Sequence, residues 1–145
     1  MLGPPPGAPR SVSGTAPRVL LVEDHPGFAR LIELTVGDAL GTDVELVLAG
    51  DWAQAGRALS AGGVTCVLLD LTLPDEAGPH LVDLVTRAAP GVAVIVLSGR
   101  DSPGLEADLL ARGARAFVHK DDAATALVPA LRAALAGGRR DPITG

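Results

Sequence analysis

Five polar side chains in an otherwise strongly aliphatic chain stand at the ends of short apolar runs. Glu23 and Asp24 follow RVLLV, Asp70 closes VTCVLL, Ser98 closes VAVIVL, and Lys120 follows ARAFVH. Three carboxylates brought together repel one another unless a cation joins them. Hard oxygen ligands of this kind suit Mg2+, with Mn2+ as an alternative. Beside such a cation Asp70 can attack an electrophilic phosphorus. The Lys120 ammonium then helps neutralise the equatorial oxygens, and Ser98 can hydrogen-bond the new phosphoryl group. Taken singly, each residue has a plainer reading. Glu23 and Asp24 could be acids at a helix N-terminus, Asp70 and Ser98 turn residues, and Lys120 half of a solvated ion pair.

The elements that must bring these groups together can be read from the pattern. Aliphatic, valine-rich runs predict strands at Arg18 to Val22, Val44 to Leu48, Val64 to Leu69, Val92 to Leu97 and Arg115 to His119. Three of these are almost wholly apolar, as strands covered on both faces should be. Helical patterns lie between them: Phe28, Leu31, Ile32, Thr35, Val36 and Ala39 share one face, as do Leu81, Leu84, Val85 and Ala88. Pro26, Pro79 and Pro103 suit first helical turns, and Asp51 with Gln54 resembles a capping box. Pro129 interrupts the last pattern, whose stripe is Leu127, Leu131 and Leu135. That helix should start late, near Thr125, or kink, with the ring facing solvent. Strands alternating with helices make a (βα)5 α/β domain with a doubly wound parallel sheet. Its natural site is the rim at the carboxyl ends of the strands.

Composition narrows the function classes. The sequence has 145 residues, 48% of them hydrophobic, and a mean hydropathy of +0.35, enough for one cored domain. One Trp, two Phe and no Tyr leave little for base stacking, and a net charge of -5 argues against direct nucleic-acid binding by this chain. The single Cys66 excludes an intrachain disulfide, and its apolar neighbours suggest a plain buried thiol. No segment reads as a signal peptide or a membrane span, which points to the cytoplasm. Residues 1–16, rich in Pro and Gly, read as a disordered extension, 17–137 as the domain, and 138–145 as a flexible tail or the start of a linker.

The segments VLLVEDHP, LLDLTLPDEAG, VIVLSGR and GARAFVHKDD, in this order and spacing, resemble the receiver domains of two-component response regulators. The likeness runs from about Arg18 to Ala136. Ser98 lies 28 residues after Asp70, and Lys120 lies 22 after Ser98, separations that one helix-strand step occupies. DHP, LPDEAG and KDD are most similar to NarL/LuxR-type receivers, which usually carry a C-terminal helix-turn-helix; no such domain follows in these residues.

The resemblance implies a flavodoxin-like, CheY-like sheet with strand order 2-1-3-4-5. It also implies that Glu23 and Asp24 hold Mg2+ together with Asp70, the phosphoacceptor, and the backbone carbonyl of Thr72. Ser98 and Phe117 would form the switch pair, Lys120 the partner of the phosphoryl group, and Thr72 and Arg100 the tuners of its loss to water. Gly99 would leave room beside the phosphorylated carboxylate. A histidine kinase or phosphotransfer protein would donate the group. The output would be altered binding or homodimerisation through the fourth helix, fifth strand and fifth helix.

Other classes fit less well. A receiver-like module that dimerises without phosphorylation remains the alternative, kept open by Pro129. A haloacid-dehalogenase-like phosphatase needs a second Asp where Thr72 stands, and EDHPG is too acidic for a flavin phosphate cradle. The expectation is a signalling switch rather than a turnover enzyme. His25 and His119 are expected in structural roles, at a helix start and a strand end, and Trp52 on a helix surface or in the core.

Overall fold

A computed structural model describes residues 16–100 and 102–137. The expected extension (1–16, of which only Ala16 is described) and the tail (138–145) lie outside the described residues. Five parallel strands, β1 (Arg18–Val22), β2 (Glu45–Ala49), β3 (Val64–Asp70), β4 (Ala93–Ser98) and β5 (Ala116–His119), form one sheet in the order β2-β1-β3-β4-β5. Five helices connect or follow them: α1 (Pro26–Leu40), α2 (Trp52–Ala61), α3 (His80–Ala88), α4 (Leu105–Ala111) and α5 (Ala123–Gly137).

Side chains alternate across the strands, so each central strand feeds two cores. Val19, Leu21, Cys66, Leu68, Ile95 and Leu97 face α1 and α5, meeting Ile32, Val36, Leu127 and Leu131. Leu20, Val22, Val67, Leu69, Val94 and Val96 face α2, α3 and α4, meeting Ala55, Leu59, Leu81, Val85 and Leu109. This is why β1, β3 and β4 read as unbroken apolar runs. Cys66 is fully buried, and burial pushes its thiol up to about 12, which makes it an inert packing group.

The register sets the functional rim. Val22 pairs with Leu69, which puts the next residue, Glu23, level with Asp70. Asp70 pairs with Leu97, one residue short of Ser98. Ser98 pairs with His119, immediately before Lys120.

Local departures from the sequence expectations have local causes. On α1 the buried stripe is Ile32, Val36 and Leu40, a strict four-residue spacing, which leaves Leu31 39% exposed. Pro26 opens α1 as expected, but Pro79 sits at the cap of α3, and Pro103 precedes the Gly104 cap of α4. The last helix does not start late: α5 begins at Ala123 and runs through Pro129, whose ring is exposed. The carbonyl that loses its partner there belongs to Thr125, itself exposed, so water can reach it. Among the described residues no helix is long and apolar enough to cross a membrane.

Candidate functional site

The β1–α1 turn is assembled by its own hydrogen bonds. The His25 amide donates to Glu23 Oε2 at 3.1 Å, and the Phe28 amide donates to His25 Nδ1 at 3.4 Å, so His25 caps α1. Pro26 follows, where its missing N–H costs nothing. Glu23 is thereby turned inward and Asp24 outward: Glu23 is buried and Asp24 exposed.

The β3–α3 loop is similarly tied. Thr72 bridges Ala77, the Leu73 amide donates to the Glu76 carbonyl, and the Gly78 amide donates to the Leu71 carbonyl. Gly78 has φ 116°, a region that L side chains rarely adopt, so glycine is required at that turn. The Thr72 amide and hydroxyl both donate to Asp70 Oδ1, at 3.2 and 3.1 Å, and fix the orientation of that carboxylate. Asp75, on the same loop, accepts from the amides of Trp52 and Ala53 at 2.8 and 3.0 Å. It thereby clips the loop onto the N-terminus of α2, and these amides hold its carboxyl below the usual aspartate range.

At the centre, oxygens of Glu23, Asp24 and Asp70 all lie within 4.8 Å of one another. Lys120 Nζ stands 3.0 Å from Glu23 Oε1 and 3.5 Å from Asp70 Oδ2. Burial pushes the Glu23 carboxyl above its usual value, against the pull of Lys120 and with a further push from Asp70. Although Lys120 is close, among the described residues no donor meets buried Glu23 Oε1 with hydrogen-bond geometry. A buried anionic oxygen of this kind, beside two further carboxylates, is suited to a small hard cation.

A cavity of about 500 Å³ opens beside Asp70, between the loops that follow β3 and β4, and Thr72, Ser98, Arg100 and Lys120 line it. The Ser98 hydroxyl accepts from the Arg100 amide at 3.0 Å and donates to the Arg100 carbonyl at 3.4 Å, so it is held within its own turn. A Cβ on Gly99 would meet nothing within 4 Å, leaving open space at that edge. Phe117 is half-buried against the α2–α3–α4 side of the sheet.

The structure thus gathers Glu23, Asp24, Asp70, Thr72, Ser98, Arg100 and Lys120 at one rim. Phe117 sits on the strand that leads to Lys120. His119, as expected, is structural: it caps a short turn through the Asp121 amide at 3.2 Å. Sequence reasoning missed Asp75, Phe28 and the hydroxyl bond of Thr72. Asp75 carried one signal, an acid in a Leu-Pro-Asp turn, but its partner lies more than 20 residues away in the chain.

Comparison with known proteins agrees with this geometry. Residues 19–132 match the family described as response regulator receiver domain. The chain is similar to the transcriptional regulatory protein UhpA of Salmonella typhimurium, with 33% identity over 87% of this chain and 69% of that protein. It is also similar to the nitrate/nitrite response regulator NarP of Escherichia coli, with 27% identity over 84% of this chain and 56% of that protein. Among solved structures, a LuxR-family response regulator from Aurantimonas sp. SI85-9A1 superposes with TM-score 0.73 at 25% identity, covering 84% of this chain and 86% of that one. A CheY-like receiver from Methanospirillum hungatei JF-1 shares the fold with TM-score 0.72 at 21% identity, covering 83% of this chain and 94% of that one. Fold, matched span and relatives agree: this chain belongs to the response regulator receiver domain family, whose standard function is phosphorylation-dependent signalling.

Proposed function

We propose that Asp70 is the phosphoacceptor of this receiver and that phosphorylation switches a protein-interaction surface. A histidine kinase or phosphotransfer protein presents phosphohistidine. One Asp70 oxygen bonds to phosphorus as the phosphorus–nitrogen bond breaks, and the leaving imidazole recovers a proton from solvent. Asp70 keeps a fixed orientation through Thr72, while Lys120 offers its ammonium to the oxygens of the transferring group. The observation that carries this reading is the buried Asp70 carboxylate, sharing one rim with Lys120 and two further acids.

The donor set fits Mg2+, with Mn2+ as a substitute; Glu23, Asp24, Asp70 and the Thr72 carbonyl would hold it. When bound, the cation supplies positive charge to the phosphoryl oxygens. Once Asp70 is phosphorylated, the Ser98 hydroxyl leaves its turn for the phosphoryl group, and Phe117 moves inward behind it. Thr72 and Arg100, exposed at the mouth of the cavity, tune access of water to the acyl phosphate. The output face is α4, β5 and α5, where Leu110 is 44% exposed, and homodimerisation or partner binding occurs there. The domain acts as a cytoplasmic signalling switch rather than a turnover enzyme. Transcriptional regulators among its relatives support a DNA-contacting output acting with it in the complete protein.

The test is incubation with Mg2+ and acetyl phosphate or a cognate kinase. We expect an acid-stable, base-labile adduct of one phosphoryl group that is absent in Asp70→Asn; its persistence in that variant would overturn the assignment. An oligomeric state and partner affinity that do not respond to a phosphoryl mimic would favour the phosphorylation-independent module instead.

A further inference from the structure

Lys120 is approached from three sides. Its ammonium lies 3.0 Å from Glu23 Oε1, 3.5 Å from Asp70 Oδ2 and 4.7 Å from the centroid of the Phe28 ring. An ammonium has three donors spread about its stem, and the negative face of an aromatic ring attracts a cation alongside its oxygen partners. The position of the ring is itself determined. Glu23 Oε2 accepts from the His25 amide, His25 Nδ1 accepts from the Phe28 amide, and the half-buried Phe28 packs against the core formed by α1, α5 and the sheet. Glu23, His25, Phe28 and Lys120 therefore close a circuit that starts and ends on the same carboxylate.

Lysine reaches its charge through a flexible four-carbon stem that carries much rotamer entropy, so a charge needed in one direction must be held there. The Lys120 side chain remains 20% exposed, which leaves room for other rotamers. Lys120 is also the only lysine in the sequence; every other member of the 12 Lys and Arg is arginine. A compact ammonium fits between two carboxylates and a ring, where a broad planar guanidinium would demand a different arrangement.

We infer that Phe28 is a positioning residue for phosphoryl transfer: its ring face aims the Lys120 ammonium at Glu23 and Asp70. The inference rests on the phosphoacceptor reading of Asp70, and its test separates the two. Because there is one lysine, isotope labelling of lysine reports Lys120 alone. In the wild type the ring current of Phe28 shifts the ε-methylene protons of Lys120 away from their free-lysine position, and Phe28→Leu returns them to it. Pentafluorophenylalanine placed at position 28 keeps the shape of the ring and reverses its quadrupole, which guards against a packing defect in the leucine variant.

Both variants should accept phosphoryl from acetyl phosphate about three- to tenfold more slowly than the wild type, the range that a partly buried cation–π contact commands. Phe28→Tyr should restore both the lysine shift and the rate. A wild-type rate in the pentafluoro variant, or a free-lysine shift in the wild type, overturns the positioning role and leaves the phosphoacceptor assignment standing. A wild-type protein that takes up no phosphoryl group overturns both.

Discussion

Glu23 shows the tension within the site most clearly. It is buried, it faces a second carboxylate, and among the described residues its Oε1 has no directed donor, yet Lys120 approaches it to 3.0 Å. Its carboxyl is raised chiefly by burial, so in the charged form this group costs folding free energy near neutral pH. A divalent cation held by Glu23, Asp24 and Asp70 would relieve that cost in the folded state alone. Mg2+ at about ten times its dissociation constant should therefore stabilise the fold by about 1.4 kcal/mol. Urea unfolding with and without Mg2+ measures the increment, which should vanish in Glu23→Gln. The acids, the hydroxyl and the lysine were legible as residue types at strand ends. Phe28 was legible only as a core position, because nothing in its spacing from Lys120 shows that the two meet.

Among the elements, the N-terminus of α2 and the middle of α5 carry the clearest consequences. The Asp51 side chain accepts from the Gln54 amide at 2.8 Å, the half of a capping box that the Asp51–Gln54 spacing suggested, whereas Gln54 Oε1 accepts at 2.8 Å from the amide of Gly50, one residue before the cap, rather than from Asp51. Asp75 adds a second carboxylate, on the Trp52 and Ala53 amides. Its folded carboxyl is lowered from the ordinary 3.8, so its contribution is complete above that value and is lost as pH falls through the lowered one. Asp75→Asn should therefore be less stable than the wild type at neutral pH, with the gap closing below about pH 3.8 in unfolding curves taken across the acid range. In α5, Pro129 deprives Thr125 of an intrahelical partner while its ring stays in solvent. Pro129→Ala should raise stability by about 1–3 kcal/mol, read as a higher urea midpoint at unchanged slope. Sequence periodicity located the helices but misjudged Leu31, since a helix chooses its buried stripe by what it packs on, and placed Pro79 and Pro103 one or two positions too far into the helices that they precede.

For the whole molecule, the sheet is both the core and the frame that aligns the rim. Leu68 is fully buried on the central β3, between the sheet and the α1–α5 layer. Leu68→Ala should cost about 2–5 kcal/mol in denaturant unfolding, a large part of the stability of a domain this size. The sequence by itself determined five strands, their near-continuous apolar character and the polar residue closing each functional strand, because burial on two faces and a change of polarity at a strand end are local properties of the chain. The family motifs carried the strand order. Only the tertiary structure decided that Val22 pairs with Leu69, Asp70 with Leu97 and Ser98 with His119, so that Glu23 stands level with Asp70 and Lys120 follows two positions further on at the same rim. It also decided that Asp75 reaches α2 and that Phe28 faces Lys120. Register and the meeting of distant loops depend on how layers pack, and the spacing of residues along one chain does not encode which side chain a fold will bring within a few ångströms of another.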